Sequence, residues 1–200
     1  MKKTLPDIQK SLDKLLLKHP EVEAYTIKNA AQFPHDHHTQ DCQWLSDFID
    51  RAWSHTYQRR DGAKNPRFVY SPGYLEWLLA PPWADKNLMY FVVDKKGRVA
   101  ALAFGLNKML AIGNSKLKTV LNFCKSVDPD HTGKGIGQLL HFHEQKNLFE
   151  KGEPYDASLG WYDNLGSRKG GSMNTSKRVD PFLNFFQYPM LIRIIDYQRT

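Results

Sequence analysis

Val127-Asp128-Pro129-Asp130-His131-Thr132-Gly133-Lys134-Gly135-Ile136-Gly137-Gln138-Leu139-Leu140 is the stretch that decides how this chain is read. It lies between a strand-like run and a helix-like one. Glycines at 133, 135 and 137 let the backbone approach a ligand with no Cβ in the way. Successive amides entering a helix direct their N–H dipoles at an anion, and a pyrophosphate fits that description. Two nucleotide motifs fail on the letters. A Walker loop needs glycine where Asp128 stands and Ser or Thr where Gly135 stands. The dinucleotide fingerprint needs glycine at Gln138.

Upstream, Leu117 to Val127 predicts a strand with Leu117, Thr119, Leu121 and Phe123 on one side. Lys125 breaks the alternation and Val127 resumes it, which predicts a bulge near Lys125. Leu88 to Val93 and Val99 to Phe104 are apolar runs joined by Asp94-Lys95-Lys96-Gly97, a hairpin of buried strands. The first 80 residues read as mainly helical. Ile8, Leu12, Leu15 and Leu16 recur at helical spacing after Thr4, a candidate cap, until His19-Pro20 stops them. A second helix is expected from about Gln40 to Trp53, capped by Thr39, and a shorter one from Ser71-Pro72 to Pro81-Pro82. Downstream, Gly135 to Lys151 predicts a helix with Ile136, Leu139, Leu140, Phe142 and Phe149 as its apolar contacts and Gly152 as its stop. Ala157 to Tyr162 and Met190 to Tyr197 read as strands around a basic, glycine-rich loop, Asn164 to Lys177.

The chain has 200 residues, 41% of them hydrophobic, enough for one well-buried core. A formal charge of +7 favours anionic partners: nucleic acid, acidic lipid or a phosphorylated small molecule. No run approaches the roughly 18 apolar residues of a membrane span. Asp7, Lys10 and Asp13 interrupt any signal-peptide core. Cys42 and Cys124 form no CxxC pair and read as buried thiols, so a reducing cytoplasm is expected.

The loop resembles the acyl-CoA pyrophosphate loop of the GNAT superfamily of N-acetyltransferases. Val127 and Pro129 match its strand end, Gly135 and Gly137 its two small positions, and Leu139-Leu140 the helix that follows; Thr132 stands where that pattern has Arg or Gln. The order of elements is similar over roughly residues 22–198. Within the superfamily, Arg67 to Pro82, with its Tyr70-Ser71-Pro72 and Pro81-Pro82, together with Asn122-Phe123, resembles the first GNAT half of the N-myristoyltransferases. Myristoyl transfer in that family uses a second half and a carboxylate at the very C-terminus, so this likeness implies kinship rather than that activity.

The resemblance implies an α/β (α+β) fold, a mixed twisted sheet flanked by helices. Residues 1–21 would form an N-terminal helix and residues 22–200 one GNAT-like domain. It implies N-acyl transfer, most simply acetyl transfer, from acetyl-CoA or another acyl-CoA to a small-molecule or peptide amine, by direct attack in a ternary complex and without a metal. Ser126 and Val127 would receive the pantetheine amides, and a backbone N–H freed there would polarise the thioester oxygen. Backbone amides from Gly133 through Lys134, Gly135, Ile136 and Gly137 to Gln138 would hold the pyrophosphate, with His131, Thr132, Lys134 and Asn164 beside it. Tyr162 would protonate the leaving thiolate and Asp163 would receive the amine's proton. Two readings compete with this one: a non-catalytic acyl-CoA-binding or regulatory module, motivated by Thr132 and the loop after Asn164, and a long-chain acyltransferase akin to the myristoyl enzymes.

The remaining motifs weigh less. Pro34-His35-Asp36-His37-His38 has metal-ligand chemistry, but adjacent side chains seldom converge on one ion, and solvated histidines are expected. His141 and His143 do not share a helix face. Leu75, Trp77 and Leu78 read as core. Arg168, Lys169, Lys177 and Arg178 read as a solvated flexible face, with a clamp on the CoA 3′-phosphate, a substrate gate and a nucleic-acid contact as the other readings. No nucleic-acid-binding motif is present. The oligomeric state carries no signature, and a homodimer is compatible with the sequence.

Overall fold

The computed structural model describes residues 5–61, 69–80, 84–112, 114–150 and 157–160. Its frame is a five-stranded sheet in the order β1-β2-β3-β4-β5, built from β1 (Tyr25–Asn29), β2 (Ala84–Asp94), β3 (Val99–Ile112), β4 (Ser115–Val127) and β5 (Ala157–Gly160). The first four pair antiparallel in succession. β5 runs parallel to β4 after a crossover that contains α4 (Ile136–Glu150), so the sheet is mixed. The other helices are α1 (Leu5–Lys18), α2 (Cys42–Asp61) and α3 (Pro72–Leu78).

Helices cover both faces, which explains why β2 reads as a continuous apolar run rather than an alternating one. On one face Leu45, Phe48 and Ile49 of α2 and Leu75 of α3 pack against Phe91, Leu102 and Phe104. On the other, Ile136 and Leu140 of α4 meet Tyr90, Val92 and the fully buried Ala100, Ala101 and Ala103. Those alanines let the helix axis come close to the sheet. α1 lies on the outside of α4, where Ile8 and Leu15 enclose Phe142.

Several expectations are corrected. β1 is a strand inside the supposedly helical first 80 residues; its half-buried alternation over five residues is too short to be read without its partner β2. The cap of α2 is Asp41, not Thr39: Asp41 Oδ1 accepts the Gln43 N–H at 2.8 Å, whereas Thr39 is buried in the preceding turn. β3 reaches Ile112 because it continues in register with β4, which offsets the polar Asn107-Lys108. Within β4, Leu117, Thr119, Leu121 and Phe123 share one face as expected, and the burial of adjacent Val120 shows that the other face is covered there as well. Trp77 is 61% exposed, while Leu75 and Leu78 are core as expected. Cys124 is buried, but Cys42 is only partly so. As expected of solvated histidines, His35 and His38 are exposed and His37 is half-buried, although His37 and His38 also stack on one another at 4.0 Å, with His38 against Trp44.

Thr4, Pro81-Pro82, Gly152, Met190 to Tyr197 and the loop Asn164 to Lys177, with Arg178, lie outside the described residues. Among the described residues no helix is long and apolar enough to cross a membrane.

Candidate functional site

β4 delivers the chain to the glycine loop through an irregularity. Leu102 pairs with Ser126 and Phe104 with Phe123, so two steps on β3 are matched by three on β4. The extra residue is accommodated at Cys124, whose φ of 53° lies in the left-handed region. This is the bulge that Lys125 announced, one residue from where the alternation breaks. Ser126 is buried, its Oγ donating to the Cys124 carbonyl at 3.0 Å across the bulge. Described pairing with β5 covers only Thr119–Asn122. Among the described residues no strand lies against Phe123–Val127 on the side away from β3.

The strand ends in a short 3₁₀ turn, Pro129–His131, opened by Asp128, whose Oδ1 accepts the Asp130 N–H at 3.0 Å. Arg51 of α2 pairs with the other Asp128 oxygen and ties the turn to the helix layer. From β1, the Tyr25 hydroxyl meets His131 Nδ1 at 2.8 Å. The Thr132 hydroxyl donates to the Pro129 carbonyl at 2.9 Å, so it serves the turn rather than standing free as Arg or Gln would.

Gly133 (φ 81°) and Gly135 (φ 75°) take left-handed conformations that side chains resist. Space decides the second: a Cβ at Gly135 would sit 3.0 Å from Cγ of the His19 ring. At Gly137 a Cβ would make ordinary contact with Val127, 3.5 Å away. The backbone N–H groups of residues 133–137 have no hydrogen-bond partner among the described residues. The Gln138 N–H, expected to join them, instead donates to the Gly135 carbonyl at 3.0 Å and closes the first turn of α4. Ile136 is buried and fixes that first turn on the sheet. Five orphan donors at a helix N-terminus, two of them beside left-handed glycines, form an anion cradle.

Charge around the cradle is mixed. Lys134 curls back, Nζ donating to the Asp130 carbonyl at 2.9 Å. Glu21 is held below the usual carboxylate range, first by its own backbone N–H, then by His19 and Lys134. Behind the turn opens a pocket of about 370 Å³, walled by Asp128 and His131, Arg51 and Phe48 of α2, and Arg98 of the hairpin. Among the described residues no three His, Cys, Asp or Glu side chains are grouped to hold a metal. Tyr162, Asp163 and Asn164 lie outside the described residues.

No protein-family model matches the sequence, and the search of curated proteins finds no match. Solved structures do match. An aminoglycoside acetyltransferase from an uncultured soil metagenomic sample, in complex with sisomicin, superposes with a TM-score of 0.53 at 13% identity, over 86% of this chain and 98% of that one. A Trypanosoma brucei acetyltransferase gives 0.51 at 10% identity, over 85% and 99%. Saccharomyces cerevisiae N-myristoyltransferase with bound myristoyl-CoA gives 0.50 at 14%, over 67% of this chain. The chain spans 30% of that enzyme's length. At these identities the shared property is the fold: the chain has a GNAT-like fold, with similarity to the N-myristoyltransferase as well.

Proposed function

We propose that the chain is an acyl-CoA-dependent N-acyltransferase domain that moves an acetyl or other short acyl group to an amine by direct attack in a ternary complex. The row of amides at residues 133–137 that have no partner among the described residues, directly after a bulged strand end, carries this reading. Those N–H groups would hold the pyrophosphate, with the Lys134 ammonium as a point charge nearby. The edge of Phe123–Val127, against which no strand lies among the described residues, would receive the pantetheine amides as a further strand would. A backbone N–H turned outward at the bulge would polarise the thioester oxygen, a contribution of about 3 kcal/mol. CoA supplies the activated acyl thioester.

Cys124 is no acyl carrier in this scheme, because burial pushes its thiol far up and keeps it protonated. Tyr162 and Asp163, just past β5, are the proposed acid and base, with Asn164 at the donor site. Residues 22–200 would form the domain, with 1–21 as an added helix, working in a reducing cytoplasm. The sisomicin complex of one structural neighbour supports a small-molecule amine as acceptor.

Thermal stability against CoA, acetyl-CoA and myristoyl-CoA tests the reading. Ligand at a hundredfold excess over its Kd should add about 2.7 kcal/mol. Gly137→Glu, which adds a negative charge and a bulky side chain at the cradle in a position where the Cβ itself makes only ordinary contact with Val127, should abolish the gain. Absence of stabilisation by any CoA in the folded wild type would reduce the cradle to a structural turn. A gain with myristoyl-CoA far beyond that with acetyl-CoA would replace the short-chain reading by a long-chain one.

A further inference from the structure

One cluster of ionisable groups beside the bulge has no part in that scheme. Lys125 reaches from β4 to α4, where its Nζ donates to Glu144 Oε2 at 2.6 Å and stands 3.5 Å from His141 Nδ1. Glu144 is 2% exposed, and its other oxygen, Oε1, is buried without a hydrogen-bond partner among the described residues. An ion pair with half its carboxylate unsatisfied is a poor stabilising device, since desolvation of the charges offsets their attraction. It is well suited to a group that must accept a proton. Burial pushes the Glu144 carboxyl up, against the pull of Lys125. The Lys125 side chain as a whole keeps 34% exposure, so it is reachable from solvent near the strand end.

We infer that Lys125 is an acyl acceptor within the chain itself, a self-acylation site whose ε-amine takes the acyl group from acyl-CoA, with Glu144 as proton acceptor. This rests on the acyl-donor reading, which lays the thioester along the same residues of β4. The Lys125 ammonium gives one proton to Glu144, and the free amine attacks the thioester carbonyl. A C–N bond forms, the C–S bond breaks, and the nitrogen's second proton leaves with the thiolate as CoA thiol. Three N–H hydrogens become one amide N–H, one carboxylic acid and one thiol. Two charges, one of them deeply buried, become two neutral groups, and the desolvation cost of the ion pair disappears.

The test incubates the full chain with acetyl-CoA, maps acetyl-lysine by peptide mass spectrometry, and measures acetyl-CoA stabilisation in parallel. Lys125 should be acetylated at least roughly tenfold faster than the exposed Lys116. Glu144→Gln should slow Lys125 by roughly a hundredfold and leave Lys116 unchanged. Its retained stabilisation by acetyl-CoA would show that the variant is folded. Lys125→Arg should remove the modification. Stabilisation by acetyl-CoA with Lys125 unmodified, or modified no faster than Lys116, overturns the inference and leaves the donor reading standing. An unchanged rate in Glu144→Gln overturns the role of Glu144. No stabilisation and no acetylation removes both.

Discussion

The ring of His19, at the end of α1, occupies the space that a side chain at Gly135 would need, with Cγ 3.0 Å and Cδ2 3.1 Å from the Cβ position. The N-terminal helix thus seats one wall of the glycine loop. Gly135→Ala meets two penalties, the left-handed φ of 75° and this contact. The expected loss is about 2 kcal/mol in denaturant unfolding. Adding His19→Ala should return only the contact portion, so the double-mutant cycle yields a coupling above zero and a residue of strain.

The turn before the loop separates two contributions of Asp128, capping through Oδ1 and pairing with Arg51 through Oδ2. Asp128→Asn keeps an oxygen for the Asp130 N–H, and the Arg51 side chain is 61% exposed, so its cost should stay below about 1 kcal/mol. Asp128→Ala loses the cap as well and should cost about 1–2 kcal/mol. Chemical denaturation of the two variants, side by side, checks the order.

The Lys125–Glu144 pair should break unevenly. Glu144→Leu leaves a lysine that can turn to solvent, whereas Lys125→Met leaves a carboxyl at 2% exposure with neither oxygen paired. Removing the lysine should therefore cost more, about 3 kcal/mol at neutral pH, and this cost should shrink as acid protonates Glu144. Equal losses at neutral pH would contradict the burial of the carboxyl.

His143 packs edge-on against Tyr90, its centroid 5.6 Å away, and burial holds its imidazole below the ordinary value of 6.5. Below pH 6.5 the unfolded chain takes up this proton before the folded chain does, so stability contributed by neutral His143 is present above 6.5 and lost as the pH falls. His143→Phe keeps the ring contact and removes the proton. The difference in unfolding free energy between variant and wild type should therefore grow in the variant's favour from pH 7 to pH 5.

What could be read in one dimension was what depends on neighbours in the chain. The hairpin at Asp94–Gly97, the bulge beside Lys125 and the glycine spacing of the loop all announce themselves within a few residues. What failed depends on partners far away. β1 is five residues long and is a strand because β2 supplies its register. Trp77 is apolar yet projects outward, since the seven-residue α3 buries only the side carrying Leu75 and Leu78. The same holds within the candidate site. Its glycines were visible, but the contacts of His19 and Tyr25 with the loop join residues more than 100 positions apart. No local pattern signals these.

Cys124 has a use that follows from its position rather than from any chemistry of its own. The residue is 3% exposed and sits at the strained bulge of β4, while Cys42 at the start of α2 is partly accessible. A thiol reagent added to the native protein should therefore label Cys42 promptly and reach Cys124 only when β4 comes away from the sheet. The slow labelling rate is then a clock for that opening. The protein carries its own probe of how often the strand that leads into the glycine loop breathes, and a ligand seated on the loop should slow it.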